Sequence, residues 1–176
     1  MAYKTIGQLD AATSVESADL IEIEQSGVSK YASINQVVPP LVRAEYASSN
    51  AVVPTSSAVI VQFDTQVEDT HSAVTTGASW KFTTPIQGIY SVSWTFLVAT
   101  VAAGAVTPLR VLIYKNGVLV HTSRITATTD TGFEGSGYGS FRLAQGDEIS
   151  VLTLLDTAST LGNFVNRTIA ITRIGS

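Results

Sequence analysis

The chain has 176 residues, 45% of them hydrophobic and only 14% charged, with a formal net charge of −4 and no cysteine. That length suits one main core of roughly 100–150 residues plus an appendage rather than two large domains, and the charged fraction is well below the roughly 25% usual for a soluble surface. Disulfides and thiolate metal sites are excluded, and no cluster of Lys and Arg could neutralise a run of phosphates, which argues against nucleic-acid binding.

Ser and Thr fill much of the gap left by charge. A surface of that kind favours burial against identical subunits or a larger assembly. No run approaches the roughly 20 apolar residues that span a bilayer, so no membrane partner is expected. The N-terminus lacks the basic and apolar regions of a signal peptide, and the expectation is a protein made in the cytoplasm and not exported by that route.

Taken in chain order, the first 45 residues have their own texture. LIEIEQSGVSKYASI, residues 20–34, predicts a short hairpin, a single helical turn is expected from Ser33, and Pro39-Pro40 ends it. Residues 41–55, LVRAEYASSNAVVPT, show little periodicity and read as a connector. The expected division is therefore an arm over 1–45, a linker over 46–55 and a domain over 56–176. The arm's apolar side chains, Ile6, Leu9, Leu20, Ile21, Ile23, Val28 and Ile34, are too few for an independent core. Left free, its hairpin edge would invite pairing with another chain, which makes Leu9, Leu20, Ile21, Ile23, Val28 and Ile34 the candidate anchoring residues.

Beyond the connector, strand signals dominate, and no long helix is written. A strand is expected over 58–63. GIYSVSWTFLV then places Tyr90, Val92, Trp94 and Phe96 on one face and Ser91, Ser93 and Thr95 on the other, so the large face should be core. In RVLIYKNGVLVHTS, Asn116-Gly117 supplies the two positive-φ positions of a tight hairpin turn. That register pairs Tyr114 with Leu119 and Ile113 with Val120, and leaves His121 opposite Leu112. Further strands are expected over 138–143, 148–155 and 167–174. Glycines 132, 135, 137 and 139 resemble a phosphate loop only superficially, because no helix pattern follows them. The strand spacing suits an all-β antiparallel sandwich or jelly roll.

Catalytic chemistry is poorly provided for. The only histidines are His71 and His121; mid-strand, His121 reads as a partly buried structural residue, and His71 sits with Glu68 and Asp69 in a polar cluster that reads as a solvated loop. Asp64, Glu68 and Asp69 are hard ligands close enough in sequence to suggest calcium, although their spacing matches no EF-hand and an acidic loop is the plainer reading. No carboxylate pair stands out in an aromatic setting. The expectation is no enzyme, no cofactor and no resident metal. Asn166-Arg167-Thr168 matches the glycosylation sequon but, without a signal peptide, carries no weight.

The order Phe82, Pro85, Gly88-Ile89-Tyr90, a hairpin, Phe141-Arg142-Leu143 and Gly146-Asp147-Glu148-Ile149 resembles the trimeric jelly roll shared by complement globular heads and tumour-necrosis-factor ligands, over about residues 56–176. That resemblance implies a homotrimer in which Tyr90, Val92, Trp94, Phe141 and Leu143 are core while Ser91, Ser93, Tyr138 and Ser140 face the neighbouring chains. The arm resembles the start of many bacteriophage fibre proteins through Asp19-Leu20-Ile21, Ile23, Gln25, Gly27-Val28, Lys30, Ala32 and Ile34. Together the two resemblances imply a viral structural protein of the virion, a capsid-decorating head fibre or short tail fibre attached by its arm to a capsid or tail protein. The rival reading is an adhesin for host attachment, binding a host-surface glycan or protein through a loop at Phe133 and Tyr138.

Overall fold

The computed structural model describes residues 20–25, 28–33, 41–48, 57–98, 107–127, 133–155 and 164–176. The chain divides into two units, Met1–Pro40 and Leu41–Ser176. In the first, β1 (Leu20–Gln25) and β2 (Val28–Ser33) pair antiparallel from Leu20↔Ser33 to Gln25↔Val28, which is the hairpin expected there. The helical turn expected after Ser33, together with Ile6, Leu9 and Ile34, lies outside the described residues.

The second unit contains β3 (Arg43–Ser48), β4 (Val59–Ile60), β5 (Thr65–Asp69), β6 (Val74–Thr75), β7 (Lys81–Thr83), β8 (Gly88–Val98), β9 (Thr107–Lys115), β10 (Val118–Ala127), β11 (Phe133–Leu143), β12 (Glu148–Leu155) and β13 (Phe164–Gly175). They make two antiparallel sheets. One runs β10-β9-β12-β7-β6, with β4 also on β12, and the other runs β11-β8-β13-β3-β5. Strands neighbouring in space are mostly distant in sequence, as a jelly roll requires.

The two sheets face each other across a core that includes Tyr90, Val92, Trp94 and Phe96 from β8, Val111 and Ile113 from β9, Ile149 and Val151 from β12, and Ile169 and Ile171 from β13. Period-two alternation explains each set, since every second residue of a pleated strand points the same way. Aromatic rings lock the middle: Phe63 meets Trp80 edge-on at 5.0 Å, and Trp94 and Phe96 lie 5.3 Å apart.

The boundary expected near residue 55 lies instead at Pro40/Leu41, because the supposed connector contains β3. In RAEYAS, Ala44, Tyr46 and Ser48 are buried while Arg43, Glu45 and Ala47 are partly exposed. The alternation was there, but an inward set of Ala, Tyr and Ser is too mixed for a hydrophobic period to show it. Other expectations shift in length: the strand at 58–63 is a two-residue pairing, and the one at 138–143 begins five residues earlier, at Phe133.

The β9–β10 turn forms as expected, with φ of 51° at Asn116 and 77° at Gly117. Tyr114 pairs with Leu119, but a bulge at Val120 then puts His121 opposite Ile113 rather than Leu112. Val118, Leu119 and Val120 are exposed, at 66%, 47% and 41%.

Candidate subunit interface

The outer face of the five-stranded sheet is built in cross-strand rows. One row runs Tyr138, Ser93, Ala170, Glu45 and Glu68 across all five strands; another runs Ser140, Ser91, Thr172 and Arg43; a third runs Ser136, Thr95, Thr168, Ala47 and Thr65. The middle of this face is therefore small and uncharged. Charge gathers towards its two edges: on one side Arg43 reaches Glu45 at 2.6 Å and Glu68 at 3.0 Å, and on the other Glu134 and Arg142 stand exposed on β11.

The four residues expected to face neighbouring chains meet here. Ser91, Ser93, Tyr138 and Ser140 fall on two adjacent rows, and Tyr138 stands 75% exposed above them. An open groove of about 730 Å³ runs beside it, lined among others by Glu45, Ser93, Thr95, Ser136, Thr168 and Ala170, with His121 and Ser123 from β10. Trp94, one residue from Ser93, points the other way and is 2% exposed.

The glycine run has a packing explanation. Gly135, Gly137 and Gly139 are the inward positions of β11, and a methyl at each would overlap the side chains of Ile125, Trp94 and Phe141 respectively. The indole of Trp94 occupies the space a side chain at 137 would need. Tyr138 is thus a mid-strand residue rather than part of a ligand loop, and Phe133 opens the same strand.

The signature residues hold the scaffold together. Asp147 accepts hydrogen bonds from the Ala144 amide at 2.7 Å and Asn116 Nδ2 at 2.7 Å, and pairs with Lys115 at 2.8 Å, tying the β11–β12 turn to the β9–β10 hairpin. Hydrogen bonding by Lys115, then by Asn116 and the Ala144 amide, holds its carboxyl down at about 2. Gly88 has no room for a side chain beside the Gly175 carbonyl and Arg173, and the Tyr90 hydroxyl donates to the Ile86 carbonyl.

The calcium candidate does not assemble. Asp69 accepts from the Tyr46 hydroxyl and from the amides of His71, Ala73 and Val74, all at 3.0–3.2 Å, which makes it the cap of its turn. Glu68 is turned to Arg43. Among the described residues no three His, Cys, Asp or Glu side chains converge on a metal-sized site. Burial, with Asp69 alongside, pushes the Tyr46 phenol up to about 12. His71 bonds the Thr70 hydroxyl at 2.8 Å, and His121 bonds Ser123 Oγ at 2.8 Å with its ring edge-on to Phe141.

Sequence reasoning missed Arg167, which is 1% exposed and donates to Ser48 Oγ at 2.9 Å from within the sandwich. Its burial lowers its pKa, against the opposing charge of Asp64. The signal available was its inward parity with Ile169 and Ile171.

No family model matches the chain, and no curated protein matches it. Among solved structures it is similar to the globular domain of zebrafish complement 1qA protein, with a TM-score of 0.57 and 11% identity, covering 77% of this chain and 97% of that one. The domain is a jelly roll of the complement-head and tumour-necrosis-factor type. Murine APRIL is similar too: the pH 8.0 crystal structure has a TM-score of 0.55 and 13% identity, and the pH 8.5 structure 0.55 and 16%, each covering 77% of this chain and all of that one. This jelly roll shares its path through space with those proteins and little of its sequence.

Proposed function

We propose that the chain is a non-enzymatic structural protein of a virion: a homotrimer of jelly rolls that decorates a capsid as a head fibre, or serves as a short tail-associated fibre, attached through its N-terminal arm. The observation that carries the trimer is the outer face of the five-stranded sheet, where Tyr138 stands 75% exposed beside rows of Ser, Thr and Ala. An exposed tyrosine beside a stretch of small, uncharged residues is what a symmetric contact uses, since small residues allow close approach and an aromatic anchor fills a facing hollow. The fold is one whose members assemble as trimers, which supports the same reading. The virion setting is supported by the resemblance of residues 19–34 to phage fibre proteins, and three arms per trimer would add avidity without a strong single contact.

Light scattering of the full chain should give about three times 18.6 kDa, and a stable 18.6 kDa species at micromolar concentration would sink the trimer. For attachment, the chain truncated before Leu41 should still assemble yet fail to bind particles stripped of the native protein. Truncation at residue 50 would not serve, because it removes β3 from between β13 and β5. Full binding by the truncated chain would move attachment onto the jelly roll.

A further inference from the structure

The face read as the trimer contact has a gap in its physics. Ser91, Ser93, Thr95, Thr168, Ala170 and Thr172 permit close approach, but they bring little apolar area, and stable symmetric contacts have an apolar centre. The missing area lies on the same sheet, at one end. The ladder between β3 and β13 continues past Thr172↔Arg43 through the Arg173 amide, which donates to the Val42 carbonyl at 2.9 Å. Leu41 and Ile174 follow at its end, 58% and 59% exposed. On the other side of β13 a bulge sets Gly175 opposite Ile89 and makes Ile174 the extra residue. Such bulges re-aim a side chain, and Ile89 beside it is partly buried.

We infer that Leu41, Ile89 and Ile174 pack against the same residues of two sister chains and form an apolar ring that closes one end of the trimer. This rests on the trimer reading above and says where its apolar contact lies. A second copy suits the patch because it is continuous with the small, uncharged rows of β8 and β13 that the trimer reading places at the contact. Three arginines border it as a polar rim: Arg43 is paired with Glu45 and Glu68, Arg173 is turned to the Gln87 carbonyl at 3.0 Å, and Arg142 stands exposed on β11 opposite Ile89. Leu41 is also the first residue of its unit. In a three-fold assembly the ring would therefore gather the three arms at their point of departure.

The test uses the full chain. Ile174→Asp, Leu41→Asp and the conservative Ile174→Val are compared with Val118→Asp, which alters an equally exposed apolar residue on β10, in the other sheet. Light scattering across a dilution series should show the trimer dissociation constant raised about 100-fold or more by either of the first two. Val118→Asp and Ile174→Val should stay trimeric, and circular dichroism should show the β signature intact in all four. Wild-type assembly by Ile174→Asp would overturn the inference. So would an unchanged mass with new proteolysis between residues 34 and 40, which would mean that the chain's own arm covers the patch. A monomeric wild type would sink the trimer reading itself.

Discussion

The two sheets of the sandwich bury similar inner faces but present different outer ones. On the six-stranded sheet the outward positions include Arg110 and Arg124, which are directly opposite each other, and Lys81 paired with Glu148 at 2.5 Å. These long charged side chains suit contact with water. On the five-stranded sheet, β8 offers Ser91, Ser93 and Thr95 and β13 offers Thr168, Ala170 and Thr172, with no charge between them. On this sheet the outward charges, Arg43, Glu45, Glu68, Glu134 and Arg142, stand on the flanking strands β3, β5 and β11, and the stretch left without them is the middle, over β8 and β13, beside Tyr138.

That comparison can be broken most sharply by adding charge to each face in turn. Ser93→Glu should abolish the trimer, because three carboxylates would meet at symmetric positions in a contact with nothing to neutralise them. Thr122→Glu, exposed on the six-stranded sheet, should assemble as wild type. Light scattering of the pair checks both; normal assembly of Ser93→Glu would show that the contact lies elsewhere.

One residue away the expected effect is on the fold instead. Trp94→Ala should cost about 3–5 kcal/mol through the cavity it leaves, read from urea denaturation. Gly137→Ala tests the same packing from the opposite strand: its methyl would displace the Trp94 ring and should cost about 1–3 kcal/mol. Neither residue should matter if the indole did not fill the space over β11.

The smallest effect belongs to the turn that joins the sheets. Asp147→Asn should cost about 1–2 kcal/mol, since Lys115 loses its charged partner. In the wild type the Asp147 carboxyl titrates at about 2 in the folded chain, below the roughly 3.9 of a free aspartate. Its contribution is therefore complete above about pH 4 and is lost as the pH falls through about 2. Thermal melts across that window should show the wild type losing stability while Asp147→Asn loses less.

Much of this architecture was legible in the chain itself. GIYSVSWTFLV carried its own facing, because a core of Tyr, Val, Trp and Phe against Ser and Thr leaves one orientation for a half-buried strand. Asn116-Gly117 announced its turn through the two positive φ angles few other residues tolerate. β3 escaped because its buried partners are Ala44, Tyr46 and Ser48, too mixed for a hydrophobic period to show. β5, β6 and β7 escaped because strands of two to five residues are held by their neighbours more than by their own propensity.

The candidate interface divides along the same line. That Ser91, Ser93, Tyr138 and Ser140 belong together follows from alternation plus the motif resemblance to the trimeric jelly roll, and both are read from the sequence. By itself the chain determined its fold class, its central strands and the inward side of each, since periodicity and turn chemistry are local and survive without a partner. The tertiary structure alone decided that Val120 bulges and shifts His121 by one pairing, that the glycines of β11 make room for Trp94, that Asp69 caps a turn instead of holding a cation, and that Leu41 and Ile174 both stand exposed at the end of the β3–β13 ladder. Each of these depends on how separate segments lie side by side, from the adjacent strands of the β9–β10 hairpin to β3 and β13, and that placement leaves no periodic trace in either segment.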